Sequence, residues 1–240
     1  MGINNDLTVM LNQEGCYIIG FADLRVLPND IRDGFDYGIL IGMPYTKEAM
    51  LENNNGKPAR YYAELHSISR QLTHLANITA DYLTQQGYQA LAQTPETIAR
   101  PEGYYQQGST EYFRTFLPHK TVATLAGVGW IGKNAMLVTK EAGSALRMRV
   151  VLTNAPLECG TPITKSKCPK NCMVCVNICP GKAPKGVNWE VSVDRDEFFD
   201  AEACFAAARA RAKEMLGVDE VICGLCISHC PFTKAGLGYK

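Results

Sequence analysis

Ten cysteines lie in this 240-residue chain, and eight of them fall between Cys168 and Cys230. They form two blocks that both end in Cys-Pro. The first, Cys168, Cys172, Cys175 and Cys179, reads C-x3-C-x2-C-x3-C-P, and the second, Cys223, Cys226 and Cys230, reads C-x2-C-x3-C-P. Cys204, nineteen residues before Cys223, brings the total to eight. Thiolates grouped at such short intervals are metal ligands before they are anything else.

In paired iron-sulfur blocks of this kind the last cysteine of each block ligates the other cluster. Applied here, that rule divides the eight thiolates into Cys168, Cys172, Cys175 and Cys230 for one [4Fe-4S] cluster and Cys179, Cys204, Cys223 and Cys226 for a second. Two zinc sites are the competing reading, but they call for separated CxxC pairs and have no use for the repeated x3-C-P endings. Cys16, alone in an apolar run, reads as a core residue, and Cys159 as structural.

Composition places few other demands on the chain. Twenty-four acids balance twenty-four bases, so no net field draws nucleic acid or an anionic membrane. The N-terminus carries no basic region followed by an apolar run, and no apolar run is long enough to span a bilayer, so the expected setting is cytoplasmic with no membrane partner. There, clustered cysteines are not expected to form disulfides.

Elements that would position the cysteines follow from periodicity. Gly15 to Leu27 and Tyr37 to Met43 read as buried strands, and Arg60 to Gln86 as an amphipathic helix ended by Gly87, with His66 and His74 as satisfied or solvated side chains. Residues 93–110 read as a polar, substrate-facing loop, and Phe116 to Ala126 as a second helix. The run Gly127-Val128-Gly129-Trp130-Ile131-Gly132-Lys133-Asn134 is glycine-rich. It suits either backbone approach to a ligand, with Lys133 as cation, or a tight turn into a strand. Ala135 to Thr139 and Ser144 to Thr153 read as a β-hairpin, and a helix opened by Asp200 and stopped at Gly217 carries Cys204. The expected architecture is an α/β (α+β) N-terminal domain over 1–155 and a two-cluster ferredoxin-like domain over 156–240.

These features resemble the epoxyqueuosine reductase family of cobalamin-dependent iron-sulfur enzymes, relatives of the reductive dehalogenases. The likeness is carried by Gly15 to Leu24, Ile39 to Tyr45, Arg60-Tyr61, the run AGVGWIGKN from Ala126 to Asn134, Ala142-Gly143-Ser144, Leu152 to Leu157, and the separate ligand Cys204. The resemblance implies a base-off cobalamin, with Arg60, Tyr61, Gly132, Lys133, Asn134, Leu137 and Met148 as its contacts. No histidine stands two residues after an aspartate in an Asp-x-His-x-x-Gly motif, which agrees with a cobalt that has no axial histidine from the protein.

Two departures shape the expectation. Where the family carries a proton-donating aspartate this chain has Phe113, which cannot transfer a proton, so Glu111, Tyr112 and Arg114 become the candidate catalytic residues. An aromatic packing run of Tyr112, Phe113 and Phe116 is the alternative for that segment. The chain also stops at Lys240 without the helical-repeat extension of many members, and with zero net charge tRNA is not the expected substrate. The resulting expectation is an iron-sulfur oxidoreductase in which two clusters, fed by a low-potential donor such as a ferredoxin or flavodoxin, reduce a cobalamin that acts on a non-tRNA substrate. The alternative is a two-cluster electron carrier that reduces a partner protein or its corrinoid.

Overall fold

A computed structural model describes residues 2–107, 109, 111 and 113–239. The chain divides into two compact units, each assembled from three segments. One unit comprises Met1–Met43, Ile68–Val128 and Arg147–Ile163; the other comprises Pro44–Ser67, Gly129–Leu146 and Thr164–Lys240. The expected single boundary at residue 155 differs from this division, because the segments around Tyr61 and Lys133 are grouped with the cysteines.

The first unit is built on a four-stranded sheet with strand order β1-β2-β6-β3, comprising β1 (Ile18–Asp23), β2 (Tyr37–Pro44), β3 (Ala90–Gln93) and β6 (Leu146–Thr153). β1 and β2 pair antiparallel from Ile18↔Gly42 to Asp23↔Tyr37, and β3 and β6 pair antiparallel from Ala90↔Thr153 to Gln93↔Val150. Ile39, Leu40, Ile41, Val150, Val151 and Leu152 are buried on the central strands. Burying an aliphatic side chain of this size stabilises the fold by roughly 1.5–3 kcal/mol each, so these runs fix the sheet. Helix α1 (Ile3–Gln13) buries Leu7 and Leu11, and α4 (His119–Leu125) packs against β1. The expected second helix therefore starts three residues later than periodicity placed it, after Pro118 rather than at Phe116, which is exposed. Proline at that position has no N–H to give and sets the entry of the chain into α4.

The second unit contains α2 (Lys47–Asn54), the two-residue strands β4 (Trp130–Ile131) and β5 (Leu137–Val138), and the helices α5 (Val174–Ile178), α6 (Arg195–Phe198), α7 (Ala201–Leu216), α8 (Leu225–Ser228) and α9 (Pro231–Leu237). Helix α3 (Ala59–Gln85) supplies residues to both units, and the chain leaves it through Gly87 at φ 87°. The expected hairpin over 135–153 is only half realised. Thr139 and Gly143 close the turn with reciprocal backbone hydrogen bonds of 2.9 and 3.1 Å, but β5 pairs with β4 while β6 joins the large sheet. Alternation marks a strand without naming its partner, and here the partners are in different sheets. No helix among the described residues is long and apolar enough to cross a membrane.

Candidate metal centres

All ten cysteines are free thiols, and the second unit holds the eight of the two blocks. Cys168, Cys172, Cys175 and Cys230 line one cavity together with Lys133 and Asn134. Local structure explains how residues 62 positions apart meet. Cys175 is on α5 and Cys226 on α8, and these two short helices pack on each other. Cys230 follows directly, as the N-cap of α9, whose Pro231 occupies the first turn where no N–H is needed.

Burial pushes the Cys175 thiol up to about 11, with further upward pressure from Cys168, Cys230 and Cys172. Burial likewise raises Cys226 well above the ordinary thiol range, and the thiols acting on it are Cys204, Cys223, Cys175 and Cys179. Cys168, Cys230 and Cys172 thus act on Cys175, while Cys204, Cys223 and Cys179, with Cys175 itself, act on Cys226. Cys204 reaches the second of these groups because α7, capped by the Asp200 carboxylate accepting from the Ala203 N–H at 2.9 Å, lies tight against the segment after Cys179. A Cβ at Gly181 would stand 2.5 Å from the Ala203 carbonyl oxygen, so only glycine permits that approach.

The sulfurs are also provided with donors. Sγ of Cys179 accepts from the Ala183 N–H at 3.4 Å, and Sγ of Cys230 is approached by the N–H groups of Phe232 and Thr233 and by Ser144. N–H groups aimed at sulfur favour the thiolate, the form in which cysteine binds metal.

The glycine-rich run turns out to be the hairpin β4–β5, with Gly132 N–H donating to the Met136 carbonyl at 2.9 Å. Its turn residues point inward: Lys133 is 2% and Asn134 3% exposed. The Lys133 ammonium donates to the carbonyls of Pro169, Lys170 and Cys172 at 3.2, 2.8 and 3.0 Å, which uses all three of its N–H bonds. Asn134 donates to Ser144 Oγ at 3.2 Å and the Cys226 carbonyl at 3.4 Å, so one turn touches both cysteine blocks. A Cβ at Gly132 would lie 2.8 Å from Asn134 Oδ1 and 3.7 Å from Cys168 Sγ. Of the two readings open for this run, the tight turn into a strand is the one observed; that Lys133 and Asn134 hold the backbone of the cysteine loops was not foreseen.

Other expected site residues are more dispersed. Leu137 is buried on β5. Arg60 pairs with Glu52 at 2.9 Å, and Tyr61 stacks at a tilt on Tyr45, with ring centroids 4.8 Å apart, and packs beneath Gly224 in the second block. Met148 lies on β6 in the first unit. Glu111 and Arg114 also belong to the first unit, where the Arg114 N–H donates to the Glu111 carbonyl at 3.0 Å; Tyr112 lies outside the described residues. Phe113 adopts φ 55°, and its ring meets Tyr104 edge-on at 6.1 Å. His66 faces Glu220 at 3.1 Å, and Cys16 is buried and bonded to backbone carbonyls.

No family model matches the chain. Among curated proteins, the epoxyqueuosine reductase of Aliivibrio fischeri is 25% identical over 169 residues, covering 67% of this chain and 40% of that protein. That of Atelocyanobacterium thalassa is 45% identical over 67 residues, or 28% of this chain. The chain is similar to the epoxyqueuosine reductases. It spans only 21% and 40% of the length of these two relatives. An epoxyqueuosine reductase solved with an epoxyqueuosine-modified tRNA-Tyr stem loop covers 97% of the chain at TM-score 0.61 and 18% identity, with 65% of that structure matched. At these identities the structural match establishes the mixed α/β fold of the epoxyqueuosine reductases and nothing finer.

Proposed function

We propose that this epoxyqueuosine reductase-like chain is an iron-sulfur oxidoreductase holding two [4Fe-4S] clusters, one on Cys168, Cys172, Cys175 and Cys230 and the other on Cys179, Cys204, Cys223 and Cys226. The observation that carries the reading is the cavity lined by the first four of these thiols. The donor set fits the group. Cys168, Cys172, Cys175 and Cys230 line one cavity, and four thiolates are the donor set that a four-iron cluster takes.

When bound, the clusters supply low-potential one-electron transfer. The chain's own part is to hold thiolates in place. Asn134 and Lys133 fasten the loops of both blocks, Phe232 and Thr233 direct N–H groups at Cys230, and α7 carries Cys204 to the second set. The ferredoxin-like character of residues 156–240 belongs to this proposal, as does a low-potential ferredoxin or flavodoxin as donor.

The likeness of the chain to epoxyqueuosine reductases adds cobalamin as a proposed second cofactor, with reductive chemistry on a substrate other than tRNA. The balance of 24 acids and 24 bases supports the exclusion of tRNA. Arg60, Tyr61, Gly132, Lys133, Asn134, Leu137 and Met148 stay as the corrinoid candidates, and Glu111, Tyr112 and Arg114 as the catalytic ones. The side chains of Lys133, Asn134 and Leu137 are 2%, 3% and 1% exposed and offer a corrin almost no surface. That burial favours the second reading, a two-cluster electron carrier that reduces a partner protein or its corrinoid. Anaerobic titration of the reconstituted protein with cobalamin separates the two. Saturable binding at micromolar corrinoid with a change in the visible spectrum supports the cobalamin enzyme; an unchanged spectrum leaves the carrier.

A further inference from the structure

We propose that Arg147 and Arg149 of β6, together with His119 at the start of α4, form a binding site for an oxyanion, a phosphate or carboxylate group on a small ligand. The proposal concerns the first unit alone and is independent of the cluster reading.

Arg147 and Arg149 are two residues apart on a strand, so their side chains leave the sheet on the same face. β6 is an interior strand, flanked by β2 and β3, and its remaining positions are largely apolar and buried. Two arginines side by side in that setting are out of place. Arg149 is only 8% exposed, and the Nε of both arginines is buried without a hydrogen-bond partner among the described residues. Nη1 of Arg149 donates to the Met148 carbonyl at 3.2 Å.

His119 adds a third member. Its ring shares the Met148 carbonyl with Arg149, and its Nε2 is buried without a hydrogen-bond partner among the described residues. The charged groups acting on Arg149 are Arg147 and Glu96, and those acting on His119 are Arg149 and Arg147, so the single carboxylate of the group serves Arg149 alone. That carboxylate is itself committed, accepting from the Thr94 hydroxyl at 2.6 Å. Burial, then Arg149 and Arg147, depress His119 to about 4, which reports the same excess of positive field.

A buried guanidinium without a full counter-charge and with an unused N–H is a costly arrangement in a folded protein. A planar or tetrahedral oxyanion offsets it, since guanidinium groups match carboxylate and phosphate oxygens in geometry as well as charge. An anion on this site also reverses the field at His119 and favours its protonated form, which then donates through Nε2.

The test uses the full chain in an oxyanion-free buffer, titrated separately with inorganic phosphate and with acetate, while calorimetry follows binding and histidine NMR follows His119. Saturable binding of either anion is expected, with a rise in the pH at which His119 titrates and at least tenfold weaker binding by R147Q. Preference for phosphate or for acetate identifies which group the natural ligand presents. R149Q removes a buried residue, so R147Q at the half-buried position and the His119 titration of the unmodified chain carry the result without it. A response that does not saturate, a His119 titration unmoved by both anions, or equal binding by R147Q and the unmodified chain overturns the proposal.

Discussion

The ammonium of Lys133 lies 3.0 Å from the carbonyl of Cys172 and also serves the carbonyls of Pro169 and Lys170. One side chain on the β4–β5 turn thus gathers the loop between the first two cysteines of the first block. With only 2% of Lys133 exposed, the interaction is screened little by solvent.

Replacing Lys133 by methionine keeps the length of the stem and removes the donors. Hydrogen bonds to a charged group contribute about 1.5–3 kcal/mol each and are not additive, so a loss of about 2–4 kcal/mol is expected. Denaturant unfolding of the metal-free protein measures it. K133R should not restore stability, because a planar guanidinium does not present three donors to three converging carbonyls. A K133M midpoint equal to that of the unmodified chain contradicts the assignment.

Removing single ligands should divide the iron. C230A takes one thiolate from the set that lines the cavity, and C204A takes one from the set around Cys226. Each variant, purified anaerobically, is expected to hold about four iron atoms per chain, with different residual paramagnetic signals after reduction. Identical residual signals from the two variants would show that the sets are not those proposed.

Gly181 offers a steric version of the same test. A Cβ there meets the Ala203 carbonyl oxygen at 2.5 Å and the Ala207 Cβ at 2.8 Å. G181V should therefore displace α7 and with it Cys204, so that the Cys226 set loses its cluster while the Cys230 set keeps its own. Full iron retention in G181V would mean that α7 need not lie so close.

His119 predicts a pH dependence. It is held at about 4 by burial and by Arg149 and Arg147, whereas an unfolded histidine titrates near about 6.5. Between these values the unfolded chain binds a proton that the folded chain does not. Stability present above pH of about 6.5 is thus lost as pH falls toward about 4. In oxyanion-free buffer H119Q should show a shallower decline over that window, the difference approaching about 3 kcal/mol at its acid end. Parallel pH profiles for the two proteins would contradict the burial of a neutral imidazole.

Much of this was legible in the sequence, for particular reasons. Helix α3 ran to within a residue of its expected ends because Leu65, Ile68, Leu72 and Leu75 keep a helical period and Gly87 ends it. Helix α7 carried a recognisable cap at each end, Asp200 and Gly217. The cysteine blocks stood out because ligand spacing is local. Pairing was less legible: nothing in Leu137 or Leu146 tells that β5 turns to β4 while β6 enters another sheet. Short helices such as α5 and α8 hold too few turns to show a period. The role of Lys133 depends on carbonyls 36 to 39 residues away, and no local pattern encodes a contact at that distance.

The most direct test of the account is a count of iron and acid-labile sulfide in protein purified without oxygen. Two four-iron clusters predict about eight iron and about eight sulfide per chain, with brown colour and broad absorbance near about 400 nm. Zinc in place of iron, or about four iron per chain in the unmodified protein, would contradict it.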